Sequence, residues 1–229
     1  MNLKLVQLPG LVLAAALGCI AAVPAHAQVP GYAPTLPEGL KLVPAKNLDA
    51  LYLRPGVDFS VYDKFALLEC YVAFQKNWQL DQNNAQSFRV TDSDVIRIKK
   101  QLAQQFQNVF VSVLTAKGEK YVTAVGKGVL IIRPSIVNLN IVAPDTMNSG
   151  TNNLSLDAGQ GTLVLELFDS VTSQLLARII DTEVAGASSF MISRSGLSNR
   201  EDAKKVLTNW ADRFATALQK ARAGAKAPT

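Results

Sequence analysis

From residue 64 onward the chain alternates between two hydrophobic periods. Over residues 64–74, Ala66, Leu68, Cys70, Val72 and Phe74 alternate with Phe65, Leu67, Glu69, Tyr71 and Ala73, a run apolar on both faces that predicts a central strand. After a polar loop at 77–89, Thr91-Asp92-Ser93-Asp94 forms a capping box. Val95, Leu102, Phe106, Val109 and Val113 then follow at helical spacing, predicting one helix that Gly118 stops. Strands are predicted at 120–125 and, past Gly126-Lys127-Gly128, at 129–142, where Pro134 calls for a bulge or an edge segment.

Residues 143–161 carry no periodicity and read as a polar loop. A hairpin is predicted next, 162–168 and 175–185, joined through Asp169-Ser170-Val171-Thr172-Ser173. With Phe168 facing Leu176, Glu166 and Arg178 become cross-strand neighbours on its polar face. An irregular stretch, 186–197, precedes a second capping box, Ser198-Asn199-Arg200-Glu201, and a helix with Ala203, Val206, Trp210, Phe214, Ala217 and Ala221 on one stripe. The order β-α-β-β-β-β-α predicts an α+β domain of two layers, a mostly antiparallel sheet with both helices packed on one face.

The pattern upstream is different. Residues 28–63 hold Pro30, Pro34, Pro37, Pro44 and Pro55 and read as a proline-rich arm ahead of the domain. The first residues read as an export signal. Lys4 precedes an apolar run from Leu8 to Val23, and Ala25-His26-Ala27 offers a cleavage pattern that leaves Gln28 as the new N-terminus. Leu17-Gly18-Cys19 is a poorer, competing lipoprotein box, since Ala16 and Leu17 depart from the usual residues. The expected organisation is therefore a signal at 1–27, an arm at 28–63, one domain at 64–223 and a frayed tail at 224–229.

Composition sharpens this mainly by exclusion. With 48% hydrophobic and 18% charged residues the chain is built to fold. Its formal charge of +5 is spread out, and pairs such as Lys99-Lys100 sit beside acidic residues on helices, so no nucleic-acid partner is expected. Cleavage after Ala27 would remove His26, the chain's one histidine, and Cys19, leaving Cys70. That excludes a histidine-based triad, a Cys/His zinc site and an internal disulfide in the processed chain. No phosphate-binding loop of the G-x-x-x-x-G-K-[ST] type occurs, and Gly126-Lys127-Gly128 is expected to be a tight turn.

Carboxylates remain as candidate chemistry. Asp169, Asp181 and Glu183 on or beside the hairpin could serve a hydrolase if they met Arg133 or Arg178 in a cleft, but Asp169 suits a turn and the other two are expected on a solvent face. The loop from Asp145 to Asp157 lacks the pattern of a calcium site. Cys70 is expected as a buried small hydrophobe, Trp78 as a surface anchor, and Trp210 as core. Phe190 and Met191 sit in a Ser/Gly loop as candidate contact residues. No catalytic, cofactor-binding or metal-binding residue, and no cofactor, is assigned.

Tyr52-Leu53-Arg54-Pro55-Gly56-Val57-Asp58, Tyr62, and Val72-Ala73-Phe74-Gln75-Lys76-Asn77-Trp78 resemble the opening of the bacterial domain-of-unknown-function family DUF3313. The helix at Thr91, Leu167-Phe168-Asp169-Ser170-Val171-Thr172 with Leu176-Ala177-Arg178, and the Trp210-Ala211 helix match in order over roughly residues 51–221. The resemblance implies an exported protein, often a lipoprotein, and brings no known activity or catalytic residues. The resulting expectation is a non-enzymatic periplasmic protein that binds or scaffolds an envelope protein or polymer. Its contact surfaces would be the loops 143–161 and 186–197. The alternatives are outer-membrane association through a lipidated Cys19 and a periplasmic hydrolase using carboxylates.

Overall fold

The structure is a computed structural model and describes residues 31–85, 89–141, 153–155, 159–185, 192–194 and 196–225. The signal segment, Cys19 and His26 lie outside the described residues, as do Phe190 and Met191. The strands are β1 (Lys41–Val43), β2 (Ala50–Leu53), β3 (Lys64–Leu67), β4 (Tyr71–Phe74), β5 (Lys120–Tyr121), β6 (Val129–Ile141), β7 (Asn153–Ser155), β8 (Gly159–Asp169), β9 (Leu175–Ala185) and β10 (Ile192–Arg194). The helices are α1 (Trp78–Ala85), α2 (Asp92–Ala116) and α3 (Gly196–Ala225), with a 3₁₀ turn at Phe59–Val61.

Eight strands make one mixed, mostly antiparallel sheet in the order β1-β2-β9-β8-β6-β3-β5, with β4 also paired to β6. One face carries α2 and α3, packed on each other and on the sheet. This is the two-layer α+β arrangement that the pattern predicts. Thr91 caps α2 as expected, with a reciprocal bond to Asp94, and Gly118 follows the helix at φ +90°.

The buried stripes are shifted from the predicted ones. On α2 they are Ile98, Ala103, Phe106, Phe110 and Leu114, and on α3 Leu207, Trp210, Ala211, Phe214, Ala215 and Leu218. A helix wedged against both a sheet and a neighbouring helix buries a wider, rotated arc, and small Ala103, Ala211 and Ala215 let the pair approach. Helix α3 starts at Gly196, so the Ser198 box does not open it, and it continues to Ala225.

The segment before residue 64 is part of the domain, against the expectation of a separate arm. β2 pairs with β9, β1 pairs with β2, and residues 31–40 fold back over the sheet face that bears no helix. Leu40 is fully buried there beside Tyr52 and Leu175, and the Tyr52 hydroxyl donates to the Ala33 carbonyl at 2.9 Å. Prolines blunt this edge strap without preventing its pairing.

The predicted strand 64–74 is two strands, both parallel to β6, separated by exposed Leu68 and Glu69. Pro134 explains the break. The Leu68 N–H donates to the Ile132 carbonyl and the Lys64 N–H to the Gly128 carbonyl, so even-numbered residues of β6 face this side. Pro134 therefore has no donor to offer between Leu67 and Tyr71. Against β8 the register of β6 shifts at Val137–Asn140, where Asn138 has φ +51°. Against β3 and β4 it slips by one residue across Pro134, from Leu67 opposite Ile132 to Tyr71 opposite Ser135, the bulge that the proline calls for. The polar stretch after Asn77 is the helix α1. Trp78 opens it, 3% exposed, stacked on Phe74 and donating to the Ile141 carbonyl, so it is core rather than a surface anchor.

Candidate functional site

The hairpin β8–β9 pairs Glu166 with Arg178 as predicted, although a bulge sets Phe168 opposite Leu175 instead of Leu176. Arg178 holds Glu166 Oε1 at 2.7 Å and Glu38 Oε1 at 2.9 Å, while Arg133 holds Glu166 Oε2 at 2.6 Å and lies over the Phe168 ring. These charges form a ladder on the face without helices. It ties the strap to the sheet.

Asp169 occupies the turn. Its Oδ1 accepts the N–H groups of Val171 and Thr172 and the Thr172 hydroxyl, and its Oδ2 accepts the Tyr62 hydroxyl at 3.0 Å. The bonds from Thr172 are the main reason its carboxyl lies below the ordinary value. Burial and the contact with Asp169 push the Tyr62 phenol up to about 12.

Asp181 is buried rather than on the expected solvent face, and Glu183 is half-buried. Asp181 shares its strand face with Ala177 and Ile179, is 4% exposed, and accepts the Trp210 indole N–H at 2.8 Å. Arg213 of α3 bonds Glu183 and lies 3.1 Å from Asp181, and its Nη1 donates to the Asn47 carbonyl. Burial pushes the Asp181 carboxyl upward against the pull of Arg213.

The structure thus spreads the candidate residues over three places. Asp169 is in the turn, Asp181 and Glu183 are under α3, and Arg133 and Arg178 are on the opposite face. Each carboxylate is already held by a structural partner. Cys70 is buried, as expected, and burial lifts its thiol to about 12, which keeps it out of the nucleophilic thiolate form. Among the described residues no group of His, Cys, Asp and Glu is placed to hold a metal, and no helix is long and apolar enough to cross a membrane.

The two loops read as contact surfaces are brought together. β7, within 143–161, pairs antiparallel with β10, within 186–197, matching Asn153 with Arg194 and Ser155 with Ile192. The pair is a separate two-stranded sheet, fed by the excursions after β6 and β9. Three residues per strand are too few to show a period of two, so no pattern along the chain signals this ribbon.

A family model described as "Protein of unknown function (DUF3313)" matches residues 39–214. No curated protein matches the chain. Among solved structures, the PelC dodecamer from Paraburkholderia phytofirmans is 10% identical, with 74% of this chain and 94% of that chain covered and a TM-score of 0.38. Protein XCC0632 from Xanthomonas campestris is 6% identical, with 76% and 94% covered and a TM-score of 0.38. Likeness of this degree carries nothing over to this chain.

Proposed function

The chain belongs to the DUF3313 family of proteins of unknown function, and from there we propose that it is a non-enzymatic module of the bacterial envelope that binds or scaffolds another envelope component through the β7–β10 ribbon. The observation that carries this reading is the pairing of the two small-polar loops into one ribbon outside the main sheet. Binding residues concentrate on loops held by a rigid scaffold, and here two such loops are fastened to each other as well. The engagement of Asp169, Asp181 and Glu183 by structural partners is the supporting point, since a catalytic carboxylate needs a free face toward its substrate.

Export follows from the leader-like pattern of residues 1–27, with cleavage before Gln28 and release into the periplasm. Intact mass of the exported protein separates this from the lipid-anchored alternative. A chain beginning at Gln28 supports release, and a diacylated Cys19 overturns it. The contact itself is tested by placing a photo-crosslinking residue at Ser193 in the ribbon and, as a control, at exposed Gln104 on α2, in intact cells. A reproducible adduct from the ribbon position alone is expected. Turnover of a glycosidic or ester substrate that is lost in Glu183→Gln, with no adduct, would put the protein in the hydrolase class.

A further inference from the structure

We propose that Asp181, Glu183 and Arg213 form a proton-gated latch, in which uptake of one proton by Asp181 tightens the seam between β9 and α3. The chain leaves the sheet at Ala185, makes β10, and returns as α3 from Gly196. The latch ties the departing strand to the returning helix, and it does not depend on what the ribbon contacts.

Its charge count is unbalanced. One guanidinium, Arg213, serves both Asp181 and Glu183, and its remaining Nη1 bond goes to a backbone carbonyl. Asp49 adds the influence of a third carboxylate. Like charges around a carboxylate that has lost its water favour the neutral form. Neutralisation gives up the 3.1 Å pairing of Asp181 with Arg213 and leaves the other bonds in place. A protonated Asp181 still accepts the Trp210 indole N–H, and Arg213 is left to Glu183.

The direction of the response follows from linkage. Burial, the largest influence, raises Asp181 above its ordinary value in the folded chain. A group that holds its proton more tightly when folded contributes its stability fully below the unfolded value and loses it as pH rises through the folded value. The latch is therefore tightest below the ordinary aspartate value of about 4 and loosens as pH rises through the folded value. At the turn Asp169 is held below its ordinary value, so its contribution is present above that value and is lost as pH falls.

The two tryptophans supply the test. Trp210 donates its indole N–H to Asp181, whereas Trp78 donates to the backbone carbonyl of Ile141, which does not titrate. In a pH titration of the full chain labelled with ¹⁵N, the Trp210 indole resonance is expected to inflect above the ordinary aspartate value of about 4. The Trp78 resonance stays still over the same range. Glu183→Gln removes a like charge and frees Arg213, so it moves the inflection down. Asp181→Asn abolishes it while both indole resonances remain dispersed. A wild-type inflection at or below the ordinary value, or none, overturns the latch. Should Asp181→Asn fail to fold, the wild type and Glu183→Gln decide the matter by themselves.

Discussion

The two faces of the main sheet are covered by different means. On one, α2 and α3 bury Phe106, Phe110, Trp210 and Phe214 against Leu130, Ile132, Leu163 and Leu165 in a single continuous core. On the other, a strap of residues 31–40 sets Leu40 against Tyr52 and Leu175 and is fastened by the Glu38–Arg178 pair. The first cover works through buried apolar area, and the second through a few anchors and a charge ladder. Hydrophobic period along a chain reveals only a cover that is itself periodic. An irregular strap can bury a residue as fully as a helix does and leave no such mark.

Trp210→Ala should cost about 3–5 kcal/mol in chemical denaturation, as for a buried aromatic, and it also strips Asp181 of its indole donor. A loss below about 1 kcal/mol would mean that α3 is not the cover described here.

Leu40→Ala comes next, with an expected loss of about 2–4 kcal/mol because the side chain is wholly enclosed. The same measurement discriminates between a cover and a loose arm. A variant within about 0.5 kcal/mol of wild type would show that the strap adds nothing to the cooperative fold.

The smallest effect is that of the ladder. A double-mutant cycle on Glu166 and Arg178 should give a coupling of about 1 kcal/mol, at the upper end for cross-strand charge pairs, since the side chains are 12% and 21% exposed. The coupling should shrink when the cycle is repeated at high salt. A coupling unchanged by salt would locate the pair in a dry environment and make the two faces more alike.

Much of the main sheet and its helices was legible from residue pattern. The Thr91 box, Gly118, the hairpin strands and the Glu166–Arg178 register are local features, each determined by a few neighbours in sequence. The strap was not legible, because its burial depends on contacts between segments far apart in the chain, such as Tyr52 with Ala33 and Arg54 with the Leu175 carbonyl. Helix α1 was missed because WQLDQNNA has no apolar stripe. It is held by the Asn83 side chain, which bonds both the N–H and the carbonyl of Val90, and by Trp78. Asp181 is hard to place for another reason. Alternation puts it on the face of Ala177 and Ile179, whereas its charge points to solvent. A buried carboxylate needs partners, and Trp210 and Arg213 come from a helix about thirty residues downstream.

Pro134 carries a consequence for mechanics. Because it offers no N–H, β3 with β5 and β4 with α1 are attached to β6 as two separate passengers on one spine, on either side of the silent residue. The covalent link at residues 68–70 still joins the two passengers, so Pro134 marks a place where the ladder along this side of β6 is interrupted while the chain beside it runs on unbroken.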